Sequence, residues 1–150
     1  MIEIIDPLKE RLAVIPALNY VDENTGQLDY YAPNPPVKFP CSLISIASAK
    51  FSDTGIERAA VPQNRQLADV LVEIRVANLK LTNSSAKAPA GQKSAALDIL
   101  RIIQTVHELV HGWTPGGTVG KFIRQGLQQE RREDGIQEYS IYYAVSLSDC

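Results

Sequence analysis

Cysteine, histidine and long apolar runs are all scarce in this chain of 150 residues. Two cysteines are too few for a disulfide framework, so we expect Cys41 to be a small core residue and Cys150 a thiol in the tail. No apolar run approaches the ~18 residues that a membrane-spanning helix needs. The N-terminus carries Glu3 and Asp6 and lacks a basic leader before an apolar run, so no signal peptide is predicted. We therefore expect a soluble protein without a membrane partner.

An excess of charge of one sign is also missing. Fifteen Lys and Arg against seventeen Asp and Glu leave a net charge of −2. Residues 1–75 carry seven basic and ten acidic groups, and residues 76–150 carry eight and seven. Neither half is basic enough to predict nucleic-acid or membrane binding from electrostatics alone. The chain is 45% apolar and 21% charged, which is typical of globular proteins, and its length favours one domain over residues 1–150.

Hydrophobic periodicity predicts two helices and four strands. The first helix is expected over residues 6–15, opened by Asp6 and Pro7, and the second over residues 94–111, ended by Gly112 and Pro115. The inner stripe of the second helix is Ala96, Ile99, Leu100, Ile103, Val106 and Val110. Strands are expected at 39–48, 67–77, 119–127 and through 139–147, with a turn at Asp134-Gly135 before the last. Long loops are expected at 16–37, where 28–31 is a candidate short strand, and at 49–65 and 82–93.

The clearest strands alternate between apolar and polar residues. In the last strand Tyr139, Ile141 and Tyr143 point one way, whereas Glu138 and Ser140 point the other way and are expected to face solvent. The fold class is therefore α+β. We expect a two-layer sandwich with an antiparallel or mixed sheet of about four strands and both helices on its apolar face.

One motif indicates metal chemistry. His107, Glu108 and His111 spell H-E-x-x-H on the second predicted helix. Imidazoles at i and i+4 share a helical face and can hold one Zn²⁺, while the glutamate acts as base toward a zinc-bound water. The alternative function is therefore a small zinc metalloprotease.

The rest of the chain argues against that metal site. His107 and His111 are the only histidines, so a third ligand would have to be Glu130, Glu133 or Glu138. At 100° per residue, His107 lies at the boundary of the apolar stripe and Glu108 points to solvent. The motif can be explained without a metal if His107 is partly exposed to solvent and His111 interacts favourably with the dipole at the helix C-terminus. We predict no catalytic residue, no metal and no cofactor.

Three further patterns have structural explanations. GGTVGK at 116–121 lacks the phosphate-loop consensus and precedes a strand rather than a helix. Tyr139, Tyr142 and Tyr143 suit sheet packing, because no basic stripe accompanies them. The charged run at 130–134 is either a solvated hairpin tip or a contact with a neighbouring subunit.

Taken in order, these elements resemble the tail-terminator (tail-completion) proteins of long-tailed bacteriophages and prophages, including the Mu-like branch. The similarity lies in a short first helix with Leu8 and Leu12 and a strand pair ending in VLVEIRVANL. A helix reading AALDILRIIQTVHELVHGWTP and a closing hairpin ending in EYSIYYAVSL follow. The long loops at 16–37 and 49–65 do not match the family and would also fit another neck or tail component.

The resemblance implies a structural virion protein rather than an enzyme. Such proteins form a ring, commonly a hexamer, that caps the tail tube, ends its polymerisation and offers a surface to the head-neck complex. The implied partners are copies of itself, the tail-tube protein and neck or head-completion proteins, with at most non-specific contact to DNA in the lumen. The implied location is the virion tail, after synthesis in the bacterial host cytoplasm.

Overall fold

The computed structural model describes residues 1–30, 34–79, 87, 97–132 and 134–150. In chain order the elements are α1 (Ile2–Ala13), β1 (Tyr20–Glu23), β2 (Cys41–Ile56), β3 (Asn64–Leu79), α2 (Asp98–Val110), β4 (Ile123–Glu130) and β5 (Ile136–Leu147). The strands form one five-stranded sheet in the order β1-β2-β3-β5-β4. β1 runs parallel to β2, and every other neighbouring pair is antiparallel. The α+β class is confirmed, with a mixed sheet of five strands where about four were expected.

The two faces of the sheet are covered differently. We call the side against α1 and α2 the helix face; it carries Val70, Val72, Ile74 and Val76 of β3, which share one apolar core with both helices. We call the opposite side the loop face. Part of it is covered by residues 24–30 and 34–40, which we call the covering segment. Leu28 of this segment packs with Cys41, Leu43, Ala77 and Ile136 in a smaller cluster.

The start of α1 differs from the prediction, whereas the end of α2 agrees with it. α1 begins at Ile2 rather than Asp6, so Pro7 lies inside the helix. Burial explains the earlier start, because Ile4 and Ile5 extend the buried stripe of Leu8 and Leu12 by one turn. α2 ends at Val110, and Gly112 follows with a φ of +77°, a conformation that glycine adopts without strain. The predicted start of α2 at 94 and its Ala96 lie outside the described residues. Leu100, expected in the inner stripe, is instead 43% exposed, and Ile102 is buried.

The strand predictions need three corrections. Residues 49–65 were expected to be irregular, but 49–56 and 64–65 extend the β2–β3 hairpin well beyond the core. Leu28–Tyr30 form a turn, and the short strand is β1. The strand expected at 119–127 begins at Ile123 instead, although Val119 makes an isolated bridge to Leu147. The turn at Asp134-Gly135 lies before β5 as predicted, and the 82–93 loop lies outside the described residues apart from residue 87.

The two cysteines occupy different environments. Cys41 is completely buried, as predicted, and burial raises the pKa of its thiol to about 12. Cys150 is not a loose tail residue. Its backbone exchanges two hydrogen bonds with Gln66, at 3.1 and 3.2 Å, so the C-terminus continues the sheet alongside β3. Neither helix among the described residues is long and apolar enough to cross a bilayer.

Candidate functional site

The H-E-x-x-H residues lie at the C-terminal end of α2. The ring centroids of His107 and His111 are 4.7 Å apart and tilted by 32°. His107 is half-buried and Glu108 is exposed, as the helical geometry predicted. Glu108 accepts a hydrogen bond from Gln104 Nε2 at 3.3 Å. His111 lies just past the helix, with extended backbone at ψ 124°.

Each imidazole has a contact that links α2 to the sheet. Nδ1 of His111 accepts the backbone N–H of Arg124 at 3.2 Å, at the start of β4. His107 Nδ1 lies 3.5 Å from the hydroxyl of Tyr143, whose pKa is raised to about 12 by burial. Burial, followed by the charges of Arg124 and His111, lowers the pKa of His107, and Glu108 opposes that shift. These contacts account for both rings as structural side chains.

The two described candidates for a third metal ligand are separated from the histidines. Glu138 and Glu130 form a cross-strand pair on the loop face, so the sheet separates them from α2. Glu133 lies outside the described residues. Within the described part of the chain, no group of three or more His, Cys, Asp or Glu side chains is arranged to hold a metal ion. The structure therefore brings His107 and His111 together, but neither Glu130 nor Glu138 joins them.

A network of ion pairs lies where the sequence predicted solvent. The side chain of Glu138 is only 1% exposed and lies between two guanidinium groups. Its Oε1 accepts from Arg75 at 2.8 Å and its Oε2 from Arg132 at 2.8 Å. Arg75 also contacts Glu73, whose carboxylate is 3.5 Å from the buried hydroxyl of Ser140. The prediction that Glu138 and Ser140 face solvent is wrong, because both residues are buried within this network of charged side chains.

Arg132 joins that network to the covering segment. It donates to the Leu28 carbonyl at 2.7 Å and to Asp29 at 2.8 Å, and it forms an ion pair with Asp134. The hydrogen bond from Arg132 lowers the pKa of Asp134. The pKa of Arg132 is raised, mainly by its hydrogen bond to Asp134, although burial acts in the opposite direction. The prediction of a solvated hairpin tip is therefore wrong for Arg132, whose side chain is only 13% exposed.

Exposed strand edges at both ends of the sheet are the features that the sequence did not reveal. β1 pairs only with Cys41–Ile44 of β2, so no described strand pairs with the outer edge of β2 from Ser45 to Ile56. β4 pairs on one side with β5, and no described strand pairs with its other side. Backbone N–H and C=O groups on such edges can template pairing with another strand.

Apolar side chains accompany both edges. The long β2–β3 hairpin exposes Phe51 at 52%, together with Ile56, Val61 and Leu67. β4 exposes Ile123 at 41% and Leu127 at 49%. Exposed apolar groups beside free backbone donors and acceptors are typical of protein-binding surfaces. These two edges form the candidate functional site.

Comparison with known proteins leaves the family open. No protein-family model and no curated protein sequence matches the chain. A chain in the solved structure titled "Virion of native gene transfer agent (GTA) particle" is similar, with 10% identity and a TM-score of 0.48 over 94% of this chain and 91% of that chain. A TM-score below 0.5 at this identity does not establish a common function. Function has to be inferred from the residues of this chain.

Proposed function

We propose that this protein is a structural component of a bacteriophage tail, which forms a ring that caps the tail tube and ends its polymerisation. The observation that carries the proposal is a sheet with an exposed, partly apolar strand edge at each end. Two different edges on one molecule allow a head-to-tail contact, and such a contact closes into a ring when the rotation between copies allows it.

The order of elements supports the same assignment. The resemblance to tail terminators rests on α1, the strand pair that ends in β3, α2 and the closing β4–β5 hairpin, and these elements fold in that order. The proposed partners of this protein are copies of itself, the tail-tube protein and neck proteins, with at most non-specific DNA contact in the lumen. Its proposed location is the virion tail, after synthesis in the host cytoplasm.

The chemistry of the described residues favours a non-enzymatic role. The imidazoles of the H-E-x-x-H motif contact β4 and β5, and the two described candidates for a third ligand lie across the sheet. We assign no residue a catalytic, cofactor-binding or metal-binding role.

The test measures assembly and metal content on one purified sample. We expect multi-angle light scattering to give a multiple of the chain mass of 16.5 kDa, either alone or after addition of the tail-tube protein from the same genome. Negative-stain images should show rings, and the protein should limit the length of tubes that the tube protein forms. A concentration-independent monomer that neither binds nor shortens tubes would overturn the proposal. One bound zinc per chain that is lost in His107→Ala would instead support the metalloprotease.

A further inference from the structure

We propose that the ring contact is an antiparallel β-sheet addition, in which β4 of one copy pairs with the exposed outer edge of β2 in the next copy. This inference rests on the proposed ring and names the surfaces that form it. The partner is a second copy of this chain, and the interface joins residues 48–52 of β2 to residues 126–130 of β4.

Strand direction within the sheet favours this pairing. β3 is antiparallel to β2, β5 to β3 and β4 to β5, so β4 runs opposite to β2. Copies related by rotation about an axis roughly parallel to the strands keep their strand directions. The β4 edge of one such copy therefore meets the β2 edge of the next in antiparallel orientation. Antiparallel pairs are the commoner arrangement, and the bonds between them are slightly more stable per residue.

The regular portions of the two edges are similar in length, six residues in β2 and five in β4. In β2 the pairing register shifts between Ile46 and Ser48 and again between Asp53 and Gly55, which leaves Ser48–Asp53 uninterrupted. In β4 the shift falls between Arg124 and Gly126, which leaves Gly126–Glu130 uninterrupted. Neither stretch contains proline, which natural edges use to block pairing. Five consecutive residue pairs can therefore form.

Side-chain chemistry selects one register within these stretches. Phe51 lies opposite Ala68 and Leu127 opposite Ile141, and both of these partners are buried on the helix face. Phe51 and Leu127 thus project from the same face of their sheets. Placing Phe51 directly across from Leu127 brings two half-exposed apolar side chains into a cross-strand pair.

The same register places opposite charges near each other on the loop face. Lys50 lies opposite Asp69 in β3 and Glu130 opposite Glu138 in β5, so both point to the loop face. With Phe51 across from Leu127, Lys50 and Glu130 become diagonal neighbours at two residues' offset. Long side chains reach across that diagonal. No other register with this face assignment pairs the two apolar groups.

A charge-complementation experiment tests the pairing. One variant carries Phe51→Glu and the other Leu127→Lys, so each alone places a charge against an apolar group at every contact. Each should associate about tenfold more weakly than the unmodified chain, since the apolar pair is lost. A mixture of the two should recover assembly, because glutamate at 51 then meets lysine at 127 and the remaining contacts are Phe51 on Leu127.

Controls separate this outcome from misfolding. Leu100→Glu makes the same kind of change on α2, at a side chain 43% exposed and away from both edges, and should leave assembly unchanged. Far-UV circular dichroism and the unfolding temperature of all variants should match the unmodified protein when measured at a concentration low enough for every chain to be monomeric. An association constant for both edge variants equal to that of the unmodified chain, or failure of the mixture to recover it, would overturn the proposal.

Disulfide trapping gives a second measurement that does not depend on weakening the contact. Residues directly opposite in antiparallel strands have Cα atoms about 4.5–5.5 Å apart, within disulfide range. In a Cys150→Ser background, a chain with both Phe51→Cys and Leu127→Cys should give a ladder of covalent oligomers on mild oxidation. Each single cysteine should give none. Dimers from Phe51→Cys alone would show that two β2 edges meet about a two-fold axis and would overturn the proposal.

The results also distinguish failure of the contact from failure of the function. Rings that cap tail tubes but give no ladder with the double cysteine chain would overturn the β4-on-β2 contact and leave the proposed function standing. A ladder from a protein that does not act on tail tubes would support the contact and count against the tail role.

Discussion

The helix face and the loop face of the sheet are built from the same strands but are stabilised by different chemistry. On the helix face, apolar side chains at alternate positions of β3 and β5 pack against α1 and α2. On the other side, Glu138 is buried between Arg75 and Arg132, and Arg132 bonds to Leu28 of the covering segment. Apolar packing tolerates small changes in volume, whereas a buried carboxylate depends on each of its charged neighbours. The loop face should therefore be the more sensitive of the two to single substitutions.

The sharpest test of that difference is Glu138→Ala. The change leaves two guanidinium groups facing one another without the carboxylate between them. Removing one partner from a buried ionic group costs about 3–5 kcal/mol of unfolding free energy. Urea unfolding followed by circular dichroism would measure it, with the exposed Glu108→Ala as a matched control that should change little. A loss for Glu138→Ala no greater than that of the control would contradict the buried network.

A smaller effect is expected from Arg132→Ala, since Arg75 still pairs with Glu138. Loss of the bonds to Leu28 and Asp29 should loosen the covering segment and cost about 1–3 kcal/mol. Hydrogen exchange of the Asp29 and Tyr30 amides, which bond to the Gly26 carbonyl, should accelerate. Exchange of the Val106 amide in α2 serves as the internal reference. Unchanged protection of the amides of residues 29 and 30 would show that Arg132 does not stabilise the covering segment.

The helix face should respond mildly to Ile103→Val. Deleting one methylene group from this buried residue costs about 0.5–1.5 kcal/mol, because the surrounding side chains relax only partly. The same unfolding measurement applies, and the exposed Ile2→Val is the control. A loss as large as that from Glu138→Ala would show that the two faces do not differ as proposed.

The smallest effect concerns pH and His107. Burial lowers its pKa from the ordinary value of 6.5, so the unfolded chain binds more protons than the folded chain just below that pH. The stabilising contribution is fully present above 6.5 and is lost as pH falls through the lower folded pKa. His107→Gln should therefore flatten the fall in stability below pH 6.5, whereas Glu108→Gln should keep it. Equal slopes for the unmodified chain and His107→Gln would contradict this role.

The sequence predicted those parts of the fold that burial on the helix face controls. The alternation through Val70–Val76 and Tyr139–Leu147 predicted strands because one side of each packs on helices. The distal hairpin was missed since residues 49–56 are held by cross-strand bonds to β3, which leave no hydrophobic period. The burial of Glu138 depends on Arg75, 63 residues away, and no local pattern reports such a partner.

The candidate site was predictable only in outline. An assembly role followed from long loops and a family resemblance, but an exposed edge is a property of sheet order. Nothing near Phe51 or Leu127 in the sequence indicates that their strands, β2 and β4, present free edges on opposite sides of the sheet. The H-E-x-x-H motif was visible at once, yet its ligand set depends on which face of the sheet Glu130 and Glu138 occupy, which only the fold determines.

The short parallel strand β1 has a consequence for how far any added strand can slide. It occupies the outer edge of β2 up to Ile44, where the Asn24 amide bonds to the Ile44 carbonyl at 2.8 Å. Beside this point, a groove of about 170 Å³ is lined by Ile5 of α1, by Glu23 and Asn24, and by Ile44–Ile46 of β2. A strand added along this edge can therefore reach no further than Ser45, which limits how far β4 of a neighbouring copy can be displaced toward α1. Every copy carries the same limit, so the range of spacings between neighbours is the same at each contact.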